Sequence, residues 1–259
     1  MDLAVQRAEL RKSPQERERI DDLFRLIPEG GGVALDAGAW DGHLARRLAD
    51  RYDRVVALDL TAPTVDHERV ECVQGDITAL DYPDDSFDLV LCTEVLEHVP
   101  ADRLAAACTE LARVARRDLI IGVPFRQDLR LGQTTCRDCG RRNPPWGHVN
   151  SFSLEKLRDL FGALRVETSS LVGQRVDTNA LAAAVTDLAG NPRGTYGQEQ
   201  GCVHCGAKLV RPQWRLTTKA LAALGIALQK PTVWWRGPQP GWMHVHFVKE
   251  RQTEAAPQV

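Results

Sequence analysis

The sequence predicts an α/β fold with a doubly wound, mostly parallel, seven-stranded sheet, on three observations. Short apolar runs recur along the chain, helical periodicity follows most of them, and an aspartate stands at or just past the end of each of the first three. In such sheets, ligands bind beyond the carboxyl ends of the strands.

Residues 13–27, SPQERERIDDLFRLI, predict an amphipathic helix. Ser13, Pro14 and Glu16 form its start signal, and Ile20, Leu23, Phe24 and Ile27 fall at helical spacing. Pro28 and the glycines at 30–32 break the chain before VALDA (33–37), a short apolar run that reads as a buried strand. A helix is expected over 41–51, strands over 54–59, 70–74 and 87–94, a helix over 101–115 and a strand over 118–124. The alternation is then interrupted by a cysteine pair and resumes as a helix and strand within 153–170. After a Gly/Asn/Pro-rich stretch at 190–201 comes a second cysteine pair, then a helix at TTKALAALGIALQ and a last strand in WMHVHFVKE. The expected organisation is a helical segment at 1–32, a main domain at 33–250 with insertions near 125–150 and 171–241, and a flexible tail at 251–259.

An apolar content of 43 % can fill a sizeable core, and a formal charge of −2 gives no basic excess to draw the chain to phosphate backbones. Nucleic acid is therefore not an expected partner. No stretch approaches the ~20 apolar residues of a membrane span, and the charged start carries no apolar run of the secretory kind. A cytoplasmic address without a membrane partner is expected.

Asp36, Asp59 and Asp76 close the first three runs. Gly38 and Gly42 let a ligand approach the backbone at a helix amino terminus, where N–H groups lack partners. Asp59 is placed to accept ribose hydroxyls. Asp76 is placed to accept an adenine amino group, with Ile77 packing on the ring. One aspartate alone would be an ordinary turn residue, and a dinucleotide fingerprint would need G-x-G-x-x-G where this chain has G-x-x-x-G.

In the order and spacing of VALDAGAWDG, VALDL, QGDITAL and DDSFDLVLCTEVLEHV, residues 33–123 resemble the class I S-adenosylmethionine-dependent methyltransferases, in particular the type 11 group. The resemblance implies a Rossmann-like methyltransferase domain. It places Asp36 with Gly38, Ala39, Trp40 and Gly42 at the methionine end of the cofactor, and counts Asp59, Leu60, Asp76, Ile77 and Thr93 among its other binding residues. Trp40 stands where the family often has its middle glycine, and Ala39 replaces the usual small polar residue or cysteine. This departure either reshapes the pocket or leaves a binder without efficient turnover.

Glu94, Glu97 and His98 follow the fourth strand, where an acceptor would meet the methyl group, and His98 suits the removal of an acceptor proton. Glu-x-x-Glu-His also resembles the metal-ligating stretch of the plant small-RNA 2'-O-methyltransferases. There a later histidine completes a magnesium site, and His148 is the position here that would match it. Type 11 methyltransferases that need no metal carry the same E-V-L-E-H-V. The expected catalytic residues are thus His98, His148, Glu94 and Glu97, with magnesium as an optional addition.

Cys136/Cys139 and Cys202/Cys205 each have the C-x-x-C-G form of a zinc knuckle, whereas Cys72, Cys92 and Cys108 read as core residues. Two knuckles make a closed four-thiolate site, so a structural zinc is expected. A redox pair, an iron centre or His204 as a competing ligand are the alternatives. The pairs are too far apart in sequence for a contiguous DNA-reading module. CxxCG followed by GH-x-x-SFS also resembles a bacterial type 11 subgroup found with polysaccharide and secondary-metabolite biosynthesis. Trp214, Trp234, Trp235 and Trp242 are expected in core and interdomain packing, with a sugar-binding wall as the alternative. Together these readings give O-methylation of a sugar or other small-molecule acceptor. The alternatives are N- or C-methylation of a quinone- or polyketide-like acceptor, or a non-catalytic cofactor-binding scaffold.

Overall fold

The computed structural model describes residues 13–198 and 201–250; the segment before residue 13 and the tail expected at 251–259 lie outside the described residues. The chain divides into two compact units. One runs up to Pro124 and adds Phe152–Val172 and the chain from Trp242 onward, and the other comprises Phe125–Ser151 and Gly173–Gly241.

In the first unit the predicted opening helix is α1, Pro14–Leu26. Ser13 caps it, its hydroxyl accepting the Glu16 N–H at 3.2 Å, and Ile20, Leu23 and Phe24 are buried along one stripe. The strands are β1 (Val33–Ala37), β2 (Arg54–Asp59), β3 (Val70–Gln74), β4 (Phe87–Thr93) and β5 (Ala115–Pro124). Between them lie α2 (His43–Leu48) and α3 (Leu104–Val114), both shorter than the pattern predicted. The first three residues of the expected 101–115 helix are lost to a turn after Pro100.

Seven strands form one sheet in the order β3-β2-β1-β4-β5-β9-β8, where β8 is Arg165–Val172 and β9 is Trp242–Val248. Neighbours from β3 to β5 are parallel, and β9 runs antiparallel to both β5 and β8. Strand order reverses between β1 and β4, so their carboxyl ends flank a topological switch point. Leu35, Val56, Leu89 and Leu91 are buried, as expected for central strands covered on both faces. Each such side chain contributes about 1.5–3 kcal/mol by leaving water. Edge strand β8 is instead mostly exposed, with Val172 buried at its end.

Buried polar pairs fix the last strand. His246 Nε2 lies 2.7 Å from Asp118 on β5, and His244 Nδ1 lies 2.7 Å from Asp22 of α1. Asp22 also accepts from the Ser170 hydroxyl on β8, which joins three elements distant in sequence.

The second unit holds a short hairpin, β6 (Thr134–Thr135) with β7 (Arg142–Asn143), and the helices α5 (Ala180–Leu188) and α6 (Leu216–Arg236), with α4 (Leu154–Leu160) belonging to the first unit. Helix α5 has no counterpart in the sequence reading. Helix α6 continues past the predicted end at residue 229 and through Pro231 to Arg236. Asn179 explains both. Its carbonyl caps α5 by accepting the Ala182 N–H at 2.8 Å, and its amide donates to Leu228 O and Thr232 Oγ1, each at 2.8 Å, beside the proline. Gly225 lets the helices approach, since a Cβ there would stand 2.7 Å from Thr186 Oγ1.

Candidate active site

β1 ends in a tight turn. Gly38 and Ala39 both donate their N–H groups to Leu58 O on β2, at 2.7 and 2.9 Å, and Gly42 opens α2. Gly38 and Gly42 have φ of 84° and 70°, and a Cβ at either would strike Val95 or Val65. Trp40 also takes the left-handed conformation, with φ 51°, and its N–H donates to Asp59 Oδ2 at 2.8 Å. The tryptophan thus keeps a backbone shape that glycine adopts without cost, while its side chain is 49 % exposed.

Asp36 is buried at the end of β1. It accepts from the Ala45 N–H in the first turn of α2, and its Oδ2 has no partner. Burial pushes its carboxyl up to about 7, against the pull of the Ala45 amide. Asp59 closes β2 and is half-buried beside exposed Leu60. Asp76 follows β3. Its Oδ1 accepts from the Thr78 N–H and hydroxyl, and its Oδ2 pairs with Arg103 at 2.9 Å. The Thr78 N–H, then the Thr78 hydroxyl and the Arg103 charge, hold this carboxyl below its ordinary value against desolvation. Ile77 and Thr93 are buried. All the cofactor-binding residues named from the sequence lie in the first unit.

Glu94 leaves β4 with φ 57°, a strained conformation for a non-glycine residue, and its Oε2 accepts the Trp242 indole N–H at 3.1 Å. Its Oε1 is sealed and lies 4.0 Å from Arg19 Nη1, while the side chain as a whole keeps 32 % exposure. Arg19 comes from α1 and is held by Glu16. Glu97 is fully buried with both oxygens unpartnered; desolvation, reinforced by the Glu94 charge, pushes its carboxyl well above the ordinary range. His98 sits in the turn that follows, its N–H donating to Val95 O. His148 belongs to the second unit, where it is buried with Nδ1 2.6 Å from Gln127 Oε1.

Sequence reasoning missed Arg19. It lies on a helix whose charges read as a solvated face, and its partner Glu94 is distant in sequence. The one local signal was its spacing three residues after Glu16.

The four knuckle cysteines converge within the second unit, with all four Sγ atoms within 4.8 Å of one another. Cys136 to Cys205 is 3.8 Å and Cys139 to Cys202 is 3.6 Å. A tetrahedron with metal–sulfur bonds of about 2.3 Å has edges of about 3.8 Å. The knuckles repeat one geometry. In each, the glycine N–H donates to the first cysteine's carbonyl, at 3.0 Å for Gly140 and 2.8 Å for Gly206, with φ of 70° and 73°. Asn143 Oδ1 accepts the Val203 N–H and ties one knuckle to the other. The His204 ring is 2.8 Å from Arg142 O, so it is engaged outside the sulfur cluster.

Cys92 and Cys108 are buried, as expected. The packing expected of the tryptophans fails at Trp214, Trp234 and Trp235, which are 41 %, 84 % and 82 % exposed. On α6, Trp234 is opposite Gly225, whereas Trp235 lines a cavity with Asn179 and Ala180 at the start of α5; Trp242 is half-buried against Glu94.

Residues 35–121 match the family model described as a methyltransferase domain, of the type 11 group. The chain is similar to an uncharacterized methyltransferase of Mycobacterium tuberculosis, at 32 % identity over 90 residues, covering 32 % of this chain and 46 % of that one. It is similar to the malonyl-[acyl-carrier protein] O-methyltransferase of Yersinia pestis, at 38 % over 112 residues and 41 % of each. These matches span less than half of the relatives' own length. Among solved structures, the YcgJ protein of Bacillus subtilis has the same fold, with a TM-score of 0.54 at 15 % identity over 90 % of this chain and 97 % of that one. Residues 35–121 therefore form a methyltransferase domain, in a sheet whose fold that solved structure shares.

Proposed function

We propose that the chain transfers the methyl group of S-adenosylmethionine to an oxygen of a small molecule, a sugar or other metabolite of polysaccharide or secondary-metabolite biosynthesis. The observation that supports this most is the set of unpartnered buried atoms at the carboxyl ends of β1 and β4: Asp36 Oδ2, Glu94 Oε1, both Glu97 oxygens and Arg19 Nη1. A buried polar atom without a partner costs about 1–3 kcal/mol, and a bound polar ligand would satisfy such atoms.

The residues present fit the cofactor. Asp36 offers an unpartnered carboxylate oxygen toward an ammonium group, the glycine turn is too tight for a side chain, and Asp59 keeps lone pairs for ribose hydroxyls beside the Trp40 N–H. Asp76 is already held on both oxygens, so Thr78 and Arg103 orient it, and adenine would share its remaining lone pairs. When bound, the cofactor supplies an electrophilic methyl on a sulfonium. Glu97, its carboxyl pushed well above the ordinary range by burial, would lie near the acceptor, and His98 or His148 would take the acceptor's proton. Arg19 supplies positive charge beside Glu94, which weakens the case for magnesium there.

The four thiolates would hold a structural zinc, since a closed set of four protein ligands leaves no position for substrate. The scaffold alternative rested on Trp40. Its left-handed backbone and its bond to Asp59 favour an intact turn, and so favour turnover. Calorimetry with S-adenosylmethionine and S-adenosylhomocysteine, followed by mass spectrometry across sugar, phenol and amine acceptors, tests the reading. Cofactor binding without methylation of any hydroxyl acceptor would remove it.

A further inference from the structure

Helix α6 is turned the wrong way round for an ordinary surface helix. Its buried stripe is made of small residues, Ala222 and Gly225, packed on α5. Its exposed arc carries Leu216 at 84 %, Leu224 at 48 %, and Trp234 and Trp235 above 80 %, with alanines between them. Helix α5 adds exposed Leu181 and Leu188, at 60 % and 76 %. A surface helix of a soluble domain normally keeps its apolar stripe for the core.

Charge distinguishes the occupants this face could take. The 21 residues of α6 contain no Asp or Glu, and Lys219 and Lys230 lie together along one flank of the exposed apolar arc. Arg215 stands at the helix's amino end, and among the described residues no ion pair involves Arg215, Lys219 or Lys230. At the opposite end sits the Trp pair. A second copy of this chain would set like charges against one another, whereas an anionic surface complements them. Apolar and indole groups on one face with lysines along its edge are what lets a helix lie in a lipid headgroup layer. At about 1.5 Å per residue, 21 residues could span a bilayer only if apolar throughout; no helix among the described residues is long and apolar enough to do so.

We propose that α6 seats this chain on an anionic phospholipid bilayer through the arc opposite its contact with α5, lying along the surface rather than crossing it. The inference is independent of the methyl-transfer reading. It revises the expectation of no membrane partner, which weighed spanning segments alone.

The test is cosedimentation of the full chain with vesicles of phosphatidylcholine alone and of phosphatidylcholine mixed with phosphatidylglycerol. Binding is expected only to the mixed vesicles, with a blue shift of tryptophan emission and a decline as salt is added. Lys219→Gln and Lys230→Gln should each lower partitioning about fivefold. Trp234→Ser combined with Trp235→Ser should abolish it, far-UV circular dichroism showing that helix content is kept. Absence of binding, or binding indifferent to lipid charge, overturns the proposal. So does light scattering that shows a dimer broken by the double tryptophan variant, because a second copy then covers the face.

Discussion

At the carboxyl ends of β1 and β4, five buried polar atoms on Asp36, Glu94, Glu97 and Arg19 make no hydrogen bond, the Glu94 and Arg19 atoms facing each other only as an ion pair at 4.0 Å, although a large apolar core lies beneath them. The knuckles of the second unit are the reverse case. Their amides, carbonyls and His204 ring are paired, with Thr134 Oγ1 the exception, yet the buried apolar cluster around them is only Cys136, Cys202 and Leu209. Burial supplies order in the first region and leaves polar capacity to spare for a ligand. In the second, little apolar surface is buried, and the four converging thiols are what ligation would order.

Removal of the proposed zinc would break this comparison most severely. Structural zinc contributes on the order of 10 kcal/mol, so chelation or Cys136→Ser should make residues 125–151 and 173–241 sensitive to limited proteolysis and reduce methyl transfer. Calorimetric binding of S-adenosylmethionine by the first unit should survive. If cofactor binding were lost together with the metal, the two regions would not be independent.

Asp36 gives the next largest effect. Its folded-state value of about 7 lies above the ordinary 3.8, so between those values the unfolded chain releases a proton that the native state keeps. Stability should therefore fall as pH rises through this window, by on the order of 4 kcal/mol at most. Urea denaturation across the window should show that slope for the unliganded protein and not for Asp36→Asn. Equal slopes would mean that Asp36 is not the group being desolvated.

Asp59→Ala should weaken S-adenosylmethionine binding by about 100-fold, the loss of two hydrogen bonds to a charged acceptor. An unchanged Kd would remove the ribose role. Smallest is Trp40→Gly, expected to raise stability by about 1 kcal/mol at most through relief of the left-handed conformation. A large loss in thermal unfolding would show that the indole itself holds the turn.

Legibility in the sequence followed the range of the interactions. β1, β2 and β4 were readable because strands buried on both faces are continuous apolar runs, and the C-x-x-C-G repeats were readable because a knuckle is built within six residues. Helix α5 was not, since an alanine-rich run beside a Gly/Asn/Pro-rich stretch carries little periodicity until Gly225 offers it a partner. The full length of α6 was hidden by Pro231, near which Asn179, some 50 residues earlier, donates to Leu228 O and Thr232 Oγ1. Arg19, Asp22 and His244 escaped notice for a related reason: each is buried by partners from other parts of the chain, and no local pattern encodes such a meeting.

The position of β9 has a consequence for how this chain is made. It follows every other strand in sequence and yet lies between β5 and β8. During synthesis β8 emerges from the ribosome with no neighbour to pair with, and Asp22 waits for His244 across more than two hundred residues. The sheet therefore closes only after residue 248 is out. Until then β5 presents an unpaired edge, which makes the nascent chain a candidate for chaperone binding or for mispairing in a crowded cell.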